Sequence, residues 1–162
     1  MNRVNRIGVA TAIATLCAIA GVQAATVAAS QADATTAIKA RQAIFKEIKD
    51  LNDPMGKMLK RQAPMDPAVV AVNAAKIQVL AGKIAAAFAV DTRKFKGTES
   101  AALDGIWNSE ADFKTKADNL ASLAGDAAAA GKSGDAGATQ KALIAMGKGC
   151  GNCHDNYKAS DK

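Results

Sequence analysis

DAGATQKALIAMGKGCGNCHDNYK, residues 135–158, is the stretch that decides how this chain is read. Leu143, Met146, Cys150, Cys153 and Tyr157 recur three and four positions apart in it, forming one stripe of an amphipathic helix. Asp135 supplies an N-cap, and the helix is predicted to run to about Tyr157. Both cysteines fall on the inward stripe, so whatever they hold lies inside the fold.

Three earlier segments repeat the helical period. The first carries Ala34, Ile38, Arg41, Phe45, Ile48 and Met55 on its inward side, and Asn52-Asp53-Pro54 is predicted to break or kink it. The prolines all lie between 54 and 67, which marks a first long connection, with room for a further helical turn around Met55 to Lys60. The second segment starts at Asp66, with Pro67 where a helix needs no amide donor, and places Val70, Ile77, Leu80, Ile84 and Phe88 inward. A polar loop from Asp91 to Ser100 follows. The third opens at Ser109 with Asp112 three residues on, a capping-box variant, and aligns Phe113, Ala117, Leu120 and Ala124 until Gly131 ends it. Trp107, just ahead of that cap, is placed for a staple-like contact. Period-two alternation is not sustained anywhere, so strands are not expected. The fold class predicted is all-α, an antiparallel four-helix bundle.

Composition narrows the choice. Apolar residues make up 49% of the 162 but aromatic ones only 4%, so the core is built largely from alanine and aliphatic side chains. That excludes a disordered polyelectrolyte, and three cysteines are too few for a disulfide-stapled miniprotein. The 21 basic residues outnumber the 15 acidic ones but are scattered with little aromatic interleaving, which gives nucleic-acid binding no support. An alanine-rich bundle buries modest area. A bulky apolar cofactor would supply the missing volume, although a tightly packed small-residue bundle has the same composition.

Residues 1–24 read as a leader. Arg3 and Arg6 precede the uncharged run Ile7 to Ala20, and Val22-Gln23-Ala24 is a small-residue cleavage pattern with the cut predicted after Ala24. The alternative, a membrane anchor, is disfavoured because the run is short for a bilayer. A lipoprotein signal is disfavoured because Leu16, not a small residue, precedes Cys17. Removing 24 residues, two of them arginines, leaves a domain of 138 residues (25–162) whose formal charge falls from +6 to +4. Export of this kind predicts a periplasmic protein with no stable membrane insertion. Its two remaining cysteines sit in an oxidising compartment, where a free dithiol does not persist by default.

Cys150-Gly151-Asn152-Cys153-His154 is the attachment pattern for c-type haem. Cysteines at i and i+3 project from one helix face, so both sulfurs reach the two vinyl groups of one porphyrin, and the next residue offers an imidazole to the iron. Competing uses are weaker. Structural zinc needs four protein ligands, and residues 25–162 hold two Cys and one His. A thioredoxin-like dithiol opens a helix in a βαβ setting, and a disulfide across two residues of one helix is strained. Gly147, Gly149 and Gly151 flank the motif and admit two readings, close approach of the haem plane or a frayed helix end.

The chain from 25 to 162 resembles the class II c-type cytochromes, above all the cytochrome c′ family. The shared residues are Arg41-Gln42 in the first helix, Asp66-Pro67, Ile106-Trp107 and the closing run Cys150 to Lys158. The resemblance implies one covalent haem c near the C-terminus, anchored by Cys150 and Cys153, with His154 as axial iron ligand. In the family the residue four after the arginine covers the distal face of the iron. Methionine there ligates in low-spin carriers, whereas an apolar residue leaves the iron five-coordinate. Here it is Phe45, which cannot donate, so the resemblance implies an open but sterically covered sixth position. Met55, Met58, Met65 and Met146 read as packing. A distal lysine stays open.

Arg41 is an inward charge for which the family pattern supplies a haem propionate; the alternative is a side chain that snorkels to solvent. Gln42 is its neighbour at the cofactor edge, or simply solvated. Tyr157 is expected to pack on the ring. Lys158 stands where the family most often has arginine, which removes the two-pronged geometry. The function implied is a non-enzymatic periplasmic haem protein that binds nitric oxide and carbon monoxide, or takes part in one-electron transfer with periplasmic redox partners, as a homodimer through the first two helices. The alternatives are a six-coordinate low-spin electron carrier and, more remotely, a dithiol oxidoreductase.

Overall fold

A computed structural model of the chain describes residues 24–95 and 99–160. The leader falls on 1–24, of which 1–23 lie outside the described residues. Among the described residues, four long helices form the antiparallel bundle, with two one-turn helices and one short strand in the connections and a second short strand ahead of the first helix.

Helix α1 spans Gln31–Leu59, with the Ser30 side chain accepting from the Asp33 amide. The predicted break at Pro54 does not occur: α1 continues through it. A proline inside a helix costs about 3 kcal/mol because it has no N–H and crowds the carbonyl a turn earlier. Two features hold α1 through it. Met55 and Met58 bury beyond the proline, and Asn73 of the next helix ties this part of α1 to its neighbour, donating to the Leu51 carbonyl at 3.0 Å. The long connection therefore shrinks to 60–66. Arg61 sits there in the left-handed region (φ 58°), where a glycine is the usual occupant.

Helix α2, Pro67–Ala81, begins as predicted, the Asp66 carboxylate accepting from the Ala68 and Val69 amides. It stops before Gly82, and Ile84–Ala87 forms a separate turn, α3. The inward positions Val70, Ile77, Leu80, Ile84 and Phe88 are all buried. Strands β1, Thr26–Val27, and β2, Val90–Asp91, pair in parallel, contrary to the expectation of no strands. The one-turn helix α4, Gly105–Asn108, holds Trp107. Trp107 is buried, and its indole N–H donates to the Phe88 carbonyl at 3.1 Å.

Helix α5 is Glu110–Ser133. Ser109 stands at its N-cap without a side-chain capping bond, so the capping box does not form. Gly131 does not end α5 either; Gly134 (φ 75°) does. Gly131 instead lets α5 meet α2, since a Cβ there would lie 2.6 Å from both the Ala71 nitrogen and the Pro67 oxygen. Helix α6, Ala136–Tyr157, is capped by Asp135 as predicted and stays helical to its end. The close approach at Gly149 is made by α5, with Leu123 Cδ1 2.8 Å from a notional Cβ. The core runs through all four long helices, and α2 packs most extensively on α5.

Candidate haem-binding site

The bundle opens at one end into a cavity of about 520 Å³ between α1, α5, α6 and the 84–106 connection. Helix α6 contributes Met146, Cys150, Cys153, His154 and Tyr157, with Lys158 just beyond its end; α1 contributes Ile38, Arg41, Gln42, Phe45, Ile48, Lys49 and Asn52. Ile77, Ile84, Phe88, Ile106, Phe113, Ala117 and Leu120 complete an apolar wall. All eight residues expected at the cofactor therefore line one space. Lys49, Asn52, Phe113 and Lys116 were not anticipated there. The signal for the α1 pair was present, because 41, 45, 48/49 and 52 share one helical face.

Both thiols are half-buried and uncrosslinked, and burial pushes both up from the ordinary thiol range, partly countered at Cys153 by the charge of Lys116. His154 is on the exposed side of the helix end, its carbonyl accepting from the Lys158 amide at 3.0 Å. Two sulfurs one helical turn apart, an imidazole beside them and an enclosed apolar space of this size fit a flat apolar macrocycle held through two thioethers and one nitrogen.

Arg41 is 3% exposed and does not snorkel. Its Nε donates to the Ala87 carbonyl at 2.9 Å, Nη1 to Thr92 Oγ1 at 3.1 Å and Nη2 to the Val90 carbonyl. Its guanidinium lies over the Phe88 ring at 4.5 Å and near Trp107 at 5.3 Å. Three of five N–H donors are thus taken within the chain, leaving at most two for a haem carboxylate. Burial pulls its pKa down to about 10, against the raising effect of Asp91, so it stays cationic at neutral pH. Gln42 is exposed and donates to the Glu99 carbonyl at 3.0 Å, tying the 99–102 strip to the rim.

Phe45 stands edge-on to Phe88, ring centroids 6.3 Å apart, and Phe88 is held in turn by Trp107, Phe113 and Arg41. Tyr157 is buried against Phe113, and its hydroxyl donates to the Asp112 carboxylate. Desolvation first, then that bond, raises the phenol to about 12. Lys158 caps α6 and its Nζ contacts the Ala159 carbonyl at 3.3 Å. Met146 is buried in the cavity wall on the helix that carries His154, whereas Met58 and Met65 line a separate shallow surface depression.

Residues 36–158 match the family model described as Cytochrome C'. The cytochrome c' of Rubrivivax gelatinosus is 35% identical over 122 residues, which is 75% of this chain and 93% of that protein. The solved cytochrome c prime of Shewanella frigidimarina superposes with a TM-score of 0.68 at 33% identity, covering 82% of this chain and 99% of that one. A nitric oxide complex of a variant cytochrome c prime from Alcaligenes xylosoxidans superposes at 0.65 with 29% identity, covering 82% and 98%.

Proposed function

The chain belongs to the cytochrome c′ family, with haem c as its cofactor, and on that premise we propose that it is an exported, periplasmic haem protein that holds one axial iron position for nitric oxide or carbon monoxide and takes part in one-electron transfer. The leader at 1–24 supports the location, and no described helix is long and apolar enough to cross a membrane. A likeness to a nitric oxide complex supports the ligand class. One observation carries the reading: α1 brings Phe45 to the cavity wall where a ligating methionine would be needed, and the polar side chains beside it are otherwise engaged. Arg41 bonds Ala87, Val90 and Thr92; Gln42 bonds Glu99; Lys49 pairs with Asp53 at 2.9 Å.

Bound haem c supplies a redox-active iron with a coordination position for a gas. The chain supplies the rest. Cys150 and Cys153 would hold the haem to α6 through their sulfurs, and His154 would offer its imidazole to the iron. Phe45, backed by Phe88, would narrow the space left for a gas and offers no hydrogen-bond donor, which would disfavour oxygen relative to nitric oxide and carbon monoxide. Arg41 and Gln42 hold the connection beside the cavity and would offer their remaining donors to the haem carboxylates. Tyr157, fixed by Asp112, would pack against the haem, and Lys158 would place a cation beside it. This is binding and electron exchange, with no catalytic residue.

A second copy of the chain is the partner proposed for α2, whose outer face is apolar too: Val72 is 55% and Val79 61% exposed. Redox partners with acidic surfaces suit the net charge of the processed chain.

The absorption spectrum of the haem-loaded protein, ferric and ferrous, with and without carbon monoxide, tests the reading. A high-spin ferrous Soret band that shifts with carbon monoxide is expected. A low-spin spectrum indifferent to the gas overturns it and moves the protein to the six-coordinate electron carriers.

A further inference from the structure

Among the described residues, 25–28 are the first stretch seated on the bundle. Thr26 N–H donates to the Ala89 carbonyl at 2.7 Å and Ala28 N–H to the Asp91 carbonyl at 2.9 Å, which sets the β1–β2 pairing. Immediately before them, the Ala25 nitrogen stands 3.2 and 3.1 Å from the two carboxylate oxygens of Glu110. A neutral amide has one hydrogen to share between two oxygens. An ammonium group has three and a charge, which suits a carboxylate met by both its oxygens. The leader cut read from Val22-Gln23-Ala24 falls immediately before this nitrogen.

We propose that Glu110 is the seat for the α-ammonium group of Ala25, so that removal of the leader turns a neutral contact into an ion pair that fastens the N-terminal strand to the bundle. The cut is a hydrolysis by an export-associated peptidase. Water provides the oxygen that makes Ala24 a carboxylate, and the broken bond leaves an amine on Ala25 that takes up a proton at neutral pH. The inference rests on the leader reading and is independent of gas binding. It ties processing to the cofactor's surroundings, because β2 is the segment whose Val90 carbonyl Arg41 grips and which follows Phe88.

The charges around the seat come from three elements. Glu110 lies at the first turn of α5; Asp91 of β2 holds Arg93 at 2.7 Å; and Arg93 also feels Asp104, ahead of α4, and Glu110 itself. The amine would enter a group of three carboxylates and one guanidinium. A partner of this kind raises the amine's folded pKa, so its stabilisation is complete below the unfolded value of about 7.7–8.0 and is lost as pH rises through the folded value.

The test uses haem-loaded protein purified after export. Intact mass identifies the first residue, and the pH profile of trace acetylation at that residue gives the amine pKa. Thermal unfolding at pH 7 and pH 9.5 is compared for the parent, Glu110→Gln, a chain extended by Gly-Ser ahead of Ala25, and the two changes combined. Ala25 is expected as first residue, with an amine pKa about one unit above a free terminus that returns to 7.7–8.0 in Glu110→Gln. The extension and Glu110→Gln are each expected to lower the melting temperature at pH 7, and the combination to lower it no further than the larger single effect. A first residue other than Ala25 overturns the inference through the leader reading. Ala25 with an amine pKa of 7.7–8.0 in both parent and Glu110→Gln, or additive losses in the combined variant, overturns the ion pair itself.

Discussion

Replacing Arg41 by methionine separates two jobs that one side chain can hold. If its main work is to clamp the 87–92 segment, the loss appears in stability; if its main work is to meet a haem propionate, the loss appears in the reduction potential. Methionine keeps much of the aliphatic volume but leaves the half-buried carbonyls of Ala87 and Val90 without their donor. An unsatisfied buried acceptor costs about 1–3 kcal/mol, so two of them bound the effect at about 2–6 kcal/mol. The contacts with Phe88 and Trp107 add about 1 kcal/mol, and relief from burying a charge subtracts a comparable amount. A loss of about 3–4 kcal/mol is expected, roughly 10–15 °C in melting temperature for a domain of this size. Arg41→Lys keeps the charge without the planar fork, and about half that loss is expected. Thermal unfolding of the haem-loaded protein gives the magnitude, and hydrogen exchange gives the place, since the Thr26 and Ala28 amides should lose protection first. A melting temperature within about 1 °C of the parent for Arg41→Met would refute the clamp, and a displaced potential in that same variant would assign Arg41 to the propionate.

Phe45→Leu is expected to raise carbon monoxide affinity at least about tenfold by opening the space above the site, read from the Soret change on titration, with no loss of stability beyond about 1–2 kcal/mol. Gly131→Ala, whose Cβ would lie 2.6 Å from backbone atoms of α2, should cost about 1–3 kcal/mol despite a gain of about 1 kcal/mol in helix propensity. Gly147→Ala, with nothing within 4 Å, should show that gain alone in the same unfolding assay. Tyr157 is the only tyrosine, so phenolate absorbance in alkaline difference spectra reads one group, with a midpoint expected at about 12. Its folded pKa is raised, so the stabilisation it contributes is complete below pH 10 and is lost as pH climbs towards 12; Tyr157→Phe should flatten that limb of the stability profile.

What could be read from the sequence was what the chain settles locally. Asp66-Pro67 and Asp135 opened helices where their side chains cap; the stripe on the second segment was buried as its spacing required, and on the fourth Leu143, Met146 and Tyr157 were buried with the two cysteines half-buried at the cavity. The eight site residues could be assembled because seven belong to two helices, α1 and α6, and Lys158 directly follows the second. What was misread depends on partners far along the chain. Pro54 looked like a break because what carries α1 past it, the burial of Met55 and Met58 and the Asn73 contact with the Leu51 carbonyl, comes from the rest of the bundle. Arg41 was visible as an inward charge, but its acceptors lie 46, 49 and 51 residues away, so solvent and a propionate were weighed and backbone carbonyls were not. Asp112 had the position of a cap and instead serves Tyr157, 45 residues on. The β1–β2 pairing is too short to carry an alternation signal.

The alanine content had two readings, a cofactor-filled bundle or a tight small-residue one, and the structure shows close packing at one end of the helices and an open cavity at the other. Along the C-terminal half of α5, Ala124, Ala127, Ala128 and Gly131 are buried, and α2 comes close enough that Gly131 tolerates no side chain. Along its N-terminal half, Phe113, Ala117 and Leu120 turn towards the cavity instead. A helix pair held at close range over its small residues cannot also fill a cavity of about 520 Å³ with side chains at the other end, because the short residues that permit the approach carry no volume to spare. The large side chains are concentrated accordingly: Phe45, Phe88, Trp107, Phe113 and Tyr157 form one connected set of ring contacts beside the cavity. The close-packed half thus sets the spacing of the helices and the aromatic set gives the open half a rigid wall. Haem c fits what neither fills, and its attachment through Cys150 and Cys153 would make the cofactor a permanent part of a core that the side chains alone leave open.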